Sequence, residues 1–196
     1  LDARTMFQLK AAAIKRGVPL PVVQIMRPWM AATVVALPAC EMAAKRDGEP
    51  VLDALIARRA QTEGKELVGL ETVGEQFSVM AGLPEDFHIE ALKETLAMGP
   101  LAEDLMETMK QLYVSGNIGM IFPLMKIITP KTAGSKGYAE FQESMITQRN
   151  DVMAERALPY LQKGGVFMAV GALHLPGAEG LVEAFRQAGY TVSAIE

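Results

Sequence analysis

Gly165-Val-Phe-Met-Ala-Val-Gly-Ala-Leu-His174-Leu-Pro-Gly177 reads as a strand that hands a histidine to the edge of a sheet. Val166 to Val170 is an apolar run of the length used by strands buried on both faces. Gly171 lets the backbone turn or approach another group closely. Pro176-Gly177 punctuates the loop that follows. In open α/β sheets, ligands bind beyond the carboxyl ends of the strands, and His174 stands at that place.

Two further runs read the same way. Leu67, Val68 and Leu70 form the body of a strand with Glu71 at its exit, and Tyr190 to Ile195 forms a last strand after the helix 178–188. Helical spacing covers residues 4–16, 51–63, 85–98 and 101–128. A long helix over 137–163 ends at Gly164-Gly165. Two short helices broken near Pro28 account for residues 22–44. The pattern predicts a helix-rich α/β fold: a central, mainly parallel sheet with about three evident strands, helices packed around it, and a right-handed crossover over 166–195. The whole of 1–196 is expected to be one domain.

Composition narrows the function. Half the residues are apolar and 21% are charged, a globular profile with a sizeable core. The net charge of −4, with Lys and Arg interleaved among Asp and Glu, argues against nucleic-acid binding. One cysteine, Cys40, excludes an internal disulfide and a cysteine-rich metal site. It leaves a periplasmic or exported location as open as an intracellular one. The apolar stretches 28–40 and 111–125 fall short of the about 20 apolar residues of a membrane span, so this segment is expected not to cross a membrane. No HExxH, GxSxG, P-loop or GxGxxG occurs.

Three positions suit carbonyl hydrolysis. Glu71 supplies a carboxylate that binds a metal or accepts a proton. His174 supplies an imidazole that binds a metal or activates water. Arg149 falls within the apolar stripe Met145, Ile146, Met153, where a guanidinium is costly unless paired or used, and it can stabilise an oxyanion. Each has a structural alternative: a helix cap for Glu71, a stem running out to solvent for Arg149, a packed or loop-capping imidazole for His174. Asn150 and Gln76 are supporting candidates able to orient these groups, with solvated surface positions as the alternative. His88 lies in a charged helix start, expected to be exposed and a poor ligand.

These residues resemble the TraB/GumN family. The segment Gly64-Lys-Glu-Leu-Val-Gly-Leu-Glu71-Thr-Val-Gly-Glu-Gln76 resembles its GK…GLET…EQ motif. Gln148-Arg149-Asn150 resembles its RN helix. Gly171-Ala-Leu-His174 with Pro176-Gly177 and Gly189-Tyr190 resembles its C-terminal GxxH segment. Arg27-Pro28-Trp29 is a weaker likeness, so the resemblance spans roughly residues 27–196. It includes the Tiki metalloproteases, with erythromycin esterases and haem-binding ChaN-like proteins as distant relatives. The resemblance implies an α/β fold and a site made from two GxxH histidines, a glutamate and an arginine, here His174, Glu71 and Arg149. It also implies a divalent manganese or cobalt ion held by His174 and Glu71. The first GxxH and its glutamate are absent from 1–196, so the chain is expected to lack its N-terminal segment.

The expected function is a metal-dependent hydrolase, a peptidase in the Tiki manner, acting on a peptide or small carbonyl substrate. The alternatives are a metal-free, esterase-like hydrolase and a non-catalytic protein that uses the same crevice for haem or for assembly. Oligomeric state is open, a homo-oligomer included.

Overall fold

The structure is a computed structural model that describes residues 1–195. All regular structure among them is helical. The N-terminal third holds α1 (Ala3–Lys15), α2 (Leu20–Ile25), α3 (Pro28–Ala36), α4 (Ala39–Arg46) and α5 (Leu52–Thr62). Next come α6 (Val73–Gly82), α7 (Glu85–Met98), α8 (Leu101–Val114), α9 (Ile121–Ile128) and α10 (Pro130–Ala133). The last are α11 (Lys136–Gln142), α12 (Gln148–Lys163) and α13 (Leu181–Gln187).

Proline sets the breaks in the N-terminal third. Pro28 lies at the first turn of α3, where a missing N–H costs nothing, and Pro38 precedes α4, so residues 22–44 hold one more break than the single one expected. Leu9 and Ala13 of α1, Val23 of α2, Ala31 and Val35 of α3 and Leu92 of α7 close into the main core. A second cluster joins Leu83, Phe87 and Tyr138, with Phe141 stacked on Phe87 at 5.4 Å between centroids. Gly137 is required there: a Cβ would come within 2.7 Å of Phe87 Cβ.

No central sheet is present among the described residues. Residues 66–70, 166–170 and 190–195 carry no ladder among the described residues, so the parallel sheet and the crossover over 166–195 are both corrected. The apolar side chains show why. Phe167 is 78% exposed and Ile195 97%, and Leu67, Val68 and Val166 are also exposed. Leu70, Met168, Val170, Tyr190 and Val192 are only half-buried. A strand's backbone needs a lateral partner to satisfy its N–H and C=O groups. Apolar runs of this length do not carry that partner with them.

The long helix over 137–163 is present, with an interruption. Between α11 and α12, Glu143–Thr147 winds as a π-turn, and the Gln148 N–H donates to Glu143 O five residues back. Such bulges are common where a helix presents functional groups. Arg149 and Asn150 follow it directly. No helix among the described residues is long and apolar enough to cross a membrane.

Candidate functional site

Glu71 lies between the irregular segment 65–70 and Thr72, the N-cap of α6. It does not cap that helix. Thr72 and Glu75 do so reciprocally: the Glu75 N–H donates to Thr72 Oγ1 at 3.1 Å, and the Thr72 N–H donates to Glu75 Oε2 at 2.7 Å. The Glu71 carboxylate is therefore free to face α12, where Arg149 takes it in a two-pronged grip. Arg149 Nε donates to Glu71 Oε1 and Nη2 to Oε2, both at 2.7 Å. The side chains are 17% and 9% exposed, which makes this a nearly buried, charge-assisted pair. A third N–H, on Nη1, reaches Met145 O at 3.1 Å, leaving one N–H free on each terminal nitrogen. Arg149 thus neither snorkels to solvent nor faces the core unpaired.

Asn150, adjacent to Arg149, is 1% exposed and shares a buried stripe of α12 with Met153 and Ala157. Its Nδ2 donates to Glu179 O at 2.5 Å. A backbone carbonyl only accepts, so this contact turns the amide oxygen Oδ1 toward His174. Oδ1 also only accepts, and it lies 2.7 Å from His174 Nδ1. Nδ1 therefore carries the proton and Nε2 presents a lone pair.

His174 ends a 3₁₀ turn, Ala172–His174, in which the His174 N–H donates to Gly171 O at 2.9 Å. The Gly-x-x-His spacing is this single turn. Gly171 itself has φ −58°, open to any residue, and a Cβ there would stand 3.5 Å from His174 Cδ2, an ordinary contact. The glycine the site needs is Gly180, whose Cβ would fall against Leu175 O and 2.5 Å from Pro176 O. That close approach seats the loop whose Glu179 carbonyl orients Asn150.

Burial is the main influence holding the His174 imidazole below the ordinary histidine range. The Arg149 charge adds to it and the Glu71 charge opposes it. The Arg149 bonds hold the Glu71 carboxyl below its ordinary value against its own desolvation. At neutral pH the site is a neutral imidazole beside a compensated ion pair. Gln76 is exposed and reaches Glu71 Oε2 only at 3.5 Å, a marginal contact. His88 stands apart and is 5% exposed, its Nε2–H donating to Met80 O at 2.9 Å. It is a satisfied core histidine, not the exposed residue its charged neighbours suggested.

Among the described residues no group of three His, Cys, Asp or Glu side chains is arranged to hold a metal ion. His174 Nε2 is one available donor, and both Glu71 oxygens are committed to Arg149.

Sequence reasoning missed Arg156 and Glu75. Arg156 Nη1 donates to Leu70 O at 2.8 Å and Glu75 Oε2 at 3.0 Å, and Nη2 to Glu75 Oε1 at 2.6 Å. Both left a signal. Thr72-x-x-Glu75 is a capping-box pattern, and Arg156 follows Arg149 by seven residues, two turns along the same helix face.

No curated protein and no solved structure matches the chain. The sequence model of the TraB/PrgY/gumN family matches residues 1–194, reaching further toward the N-terminus than the motifs quoted above. On that match, which takes in Glu71, Arg149, Asn150 and His174 together, the chain belongs to the TraB/PrgY/gumN family.

Proposed function

We propose that the chain carries the water-activating site of a hydrolase acting on a peptide or small carbonyl substrate. The observation that supports this is the fixed tautomer of His174. Asn150 holds the proton on Nδ1, and burial with the Arg149 charge keeps the ring neutral, so Nε2 is a base in waiting. Nε2 takes a proton from water while the water oxygen bonds to the carbonyl carbon and the C=O electron pair moves onto oxygen. The spare N–H groups of Arg149 stabilise that oxyanion, and Glu71 holds the guanidinium in place. When the tetrahedral species collapses, the imidazolium returns its proton to the departing nitrogen or oxygen as that bond breaks.

A manganese or cobalt ion, as the family resemblance implies, would supply Lewis-acid activation of the same water. His174 Nε2 is suited to it; Glu71 would serve only after Arg149 released an oxygen. Catalytic sites of this kind use about three protein ligands, so the described residues do not complete one. An ion would need further ligands from outside them.

The test is hydrolysis of nitrophenyl esters and unstructured peptides by the wild type and by His174→Ala, with and without chelator. The variant is expected to lose about 10²–10⁴-fold in kcat when assayed well below its melting temperature, which falls because the buried Asn150 Oδ1 loses its partner. Wild-type rates in the variant would overturn the base assignment. Activity lost in chelator and restored by manganese would make His174 a ligand instead.

A further inference from the structure

Glu71 belongs to no regular element, so something other than a helix or sheet must fix its backbone. The residues on either side of it are both tied to one side chain on α12. Before it, the Leu70 carbonyl accepts from Arg156 Nη1 at 2.8 Å. After it, Thr72 donates through its N–H at 2.7 Å and its hydroxyl at 2.9 Å to Glu75 Oε2. Glu75 is in turn gripped by both terminal nitrogens of Arg156, at 3.0 and 2.6 Å. We propose that Arg156, acting through Glu75, is a positioning residue that sets the carboxylate of Glu71 and through it the guanidinium of Arg149.

The proposal rests on the hydrolase reading for its catalytic meaning; the positioning itself does not. Arg149 and Arg156 make a two-rung ladder on α12, against Glu71 just before α6 and Glu75 in its first turn. The lower rung, Arg149–Glu71, is nearly buried. The upper rung is open, with side chains 41% and 43% exposed. An exposed ion pair contributes little to global stability, so the work of this rung is local. The Glu75 carboxyl is drawn down to about 2, chiefly by Arg156 and then by Thr72, and it stays ionised throughout the working pH range. The other charges bearing on Arg156 are Glu71 and Glu155, both of which favour its cation. Behind the rung, Val68–Leu70 borders a groove of about 340 Å³ with Pro159, Tyr160 and Lys163. Without the guanidinium, Leu70 has an open space to move into and Glu71 moves with it.

The experiment reads Arg149 directly, in ¹H–¹⁵N spectra of its Nε–H group, for the wild type, Arg156→Ala, Arg156→Lys and the distant control Arg59→Ala. The Arg149 Nε–H is protected from solvent exchange in the wild type by its bond to Glu71. Arg156→Ala is expected to speed its exchange about tenfold or more with the melting temperature nearly unchanged. Arg156→Lys, a point cation that cannot hold Glu75 and Leu70 together, recovers part of the protection. Arg59→Ala, which breaks an exposed pair elsewhere, leaves it as it was. Wild-type protection in Arg156→Ala would overturn the proposal. Failure of the hydrolase reading would show as absent turnover in the wild type, and the exchange rate would still decide the positioning role. Where turnover is present, Arg156→Ala lowers kcat about tenfold with KM unchanged.

Discussion

His174 and Asn150 are joined by a 2.7 Å bond whose direction is set from the far side, by the carbonyl of Glu179. The chain Glu179 O, Asn150 amide, His174 imidazole admits one arrangement of protons, and it leaves Nε2 bare. Asn150→Ala removes both bonds and opens space in a site that is 1% exposed. The expected loss of stability is about 2–3 kcal/mol, measured by urea unfolding. In ¹⁵N spectra of the imidazole the single tautomer gives way to a mixture. A ring still protonated only at Nδ1 would show that Asn150 does not select it.

Glu71 and Arg149 are expected to be strongly coupled. Glu71→Gln leaves a guanidinium with one weakened partner and an amide facing its N–H groups. A fully buried pair loses about 3–5 kcal/mol when one member is removed; with side chains 9% and 17% exposed, about 2–4 kcal/mol is expected here. A double-mutant cycle with Arg149→Ala should return a coupling above about 1 kcal/mol. Additive losses would mean the two side chains do not act as a unit.

Two glycines near the histidine should respond in opposite ways. Gly180→Ala drives a methyl group into the backbone at Leu175 and Pro176, so the loop must shift and the Glu179 carbonyl with it. About 2 kcal/mol or more of destabilisation is expected, with the tautomer of His174 disturbed as well. Gly171→Ala meets only His174 Cδ2 at ordinary distance and should stay within about 0.5 kcal/mol of wild type. Comparable melting temperatures for the two variants would count against the described seat of the loop.

Acid should weaken the protein in two stages. Burial holds both His174 and His88 below the ordinary histidine value. The unfolded chain therefore takes up those protons first. Their contribution is whole above about pH 6.5 and is lost as the pH falls through their folded values. Glu71, held below the ordinary carboxylate value by Arg149, contributes fully above about pH 4.5 and fades as the pH falls through its folded value. The urea midpoint should hold steady above pH 7 and decline as the pH falls below about 6.5. A midpoint that rises on that descent would reverse the sign assigned to the histidines.

Much of the site could be read from residue order alone. Arg149 drew notice because a guanidinium stood within an apolar helical stripe, and the structure finds it paired where burial demanded. His174 was marked by its place after an apolar run and a glycine, and it is buried and oriented. The helix 85–98 and the long helix over 137–163 followed from periodicity, which a helix satisfies with its own backbone. Val166–Val170 was misread for a related reason. An apolar run specifies burial or pairing without saying whether a partner exists, and Phe167 has none among the described residues. His88 was misjudged because its ring packs inward onto the Met80 carbonyl while the neighbouring Glu85 and Asp86 stay exposed.

By itself, then, the order of residues determined what is local: the helices with their proline breaks, the 3₁₀ turn from Gly171 to His174, the cap between Thr72 and Glu75, and membership in a family. Tertiary structure alone decided that Glu71 meets Arg149 across 78 positions of chain, that Asn150 faces His174 rather than water, and that Gly180 rather than Gly171 needs to be small. The difference is physical. Helix and turn bonds close within a few residues. The orientation of a carboxylate or an imidazole is set by whichever distant group supplies the matching donor or acceptor.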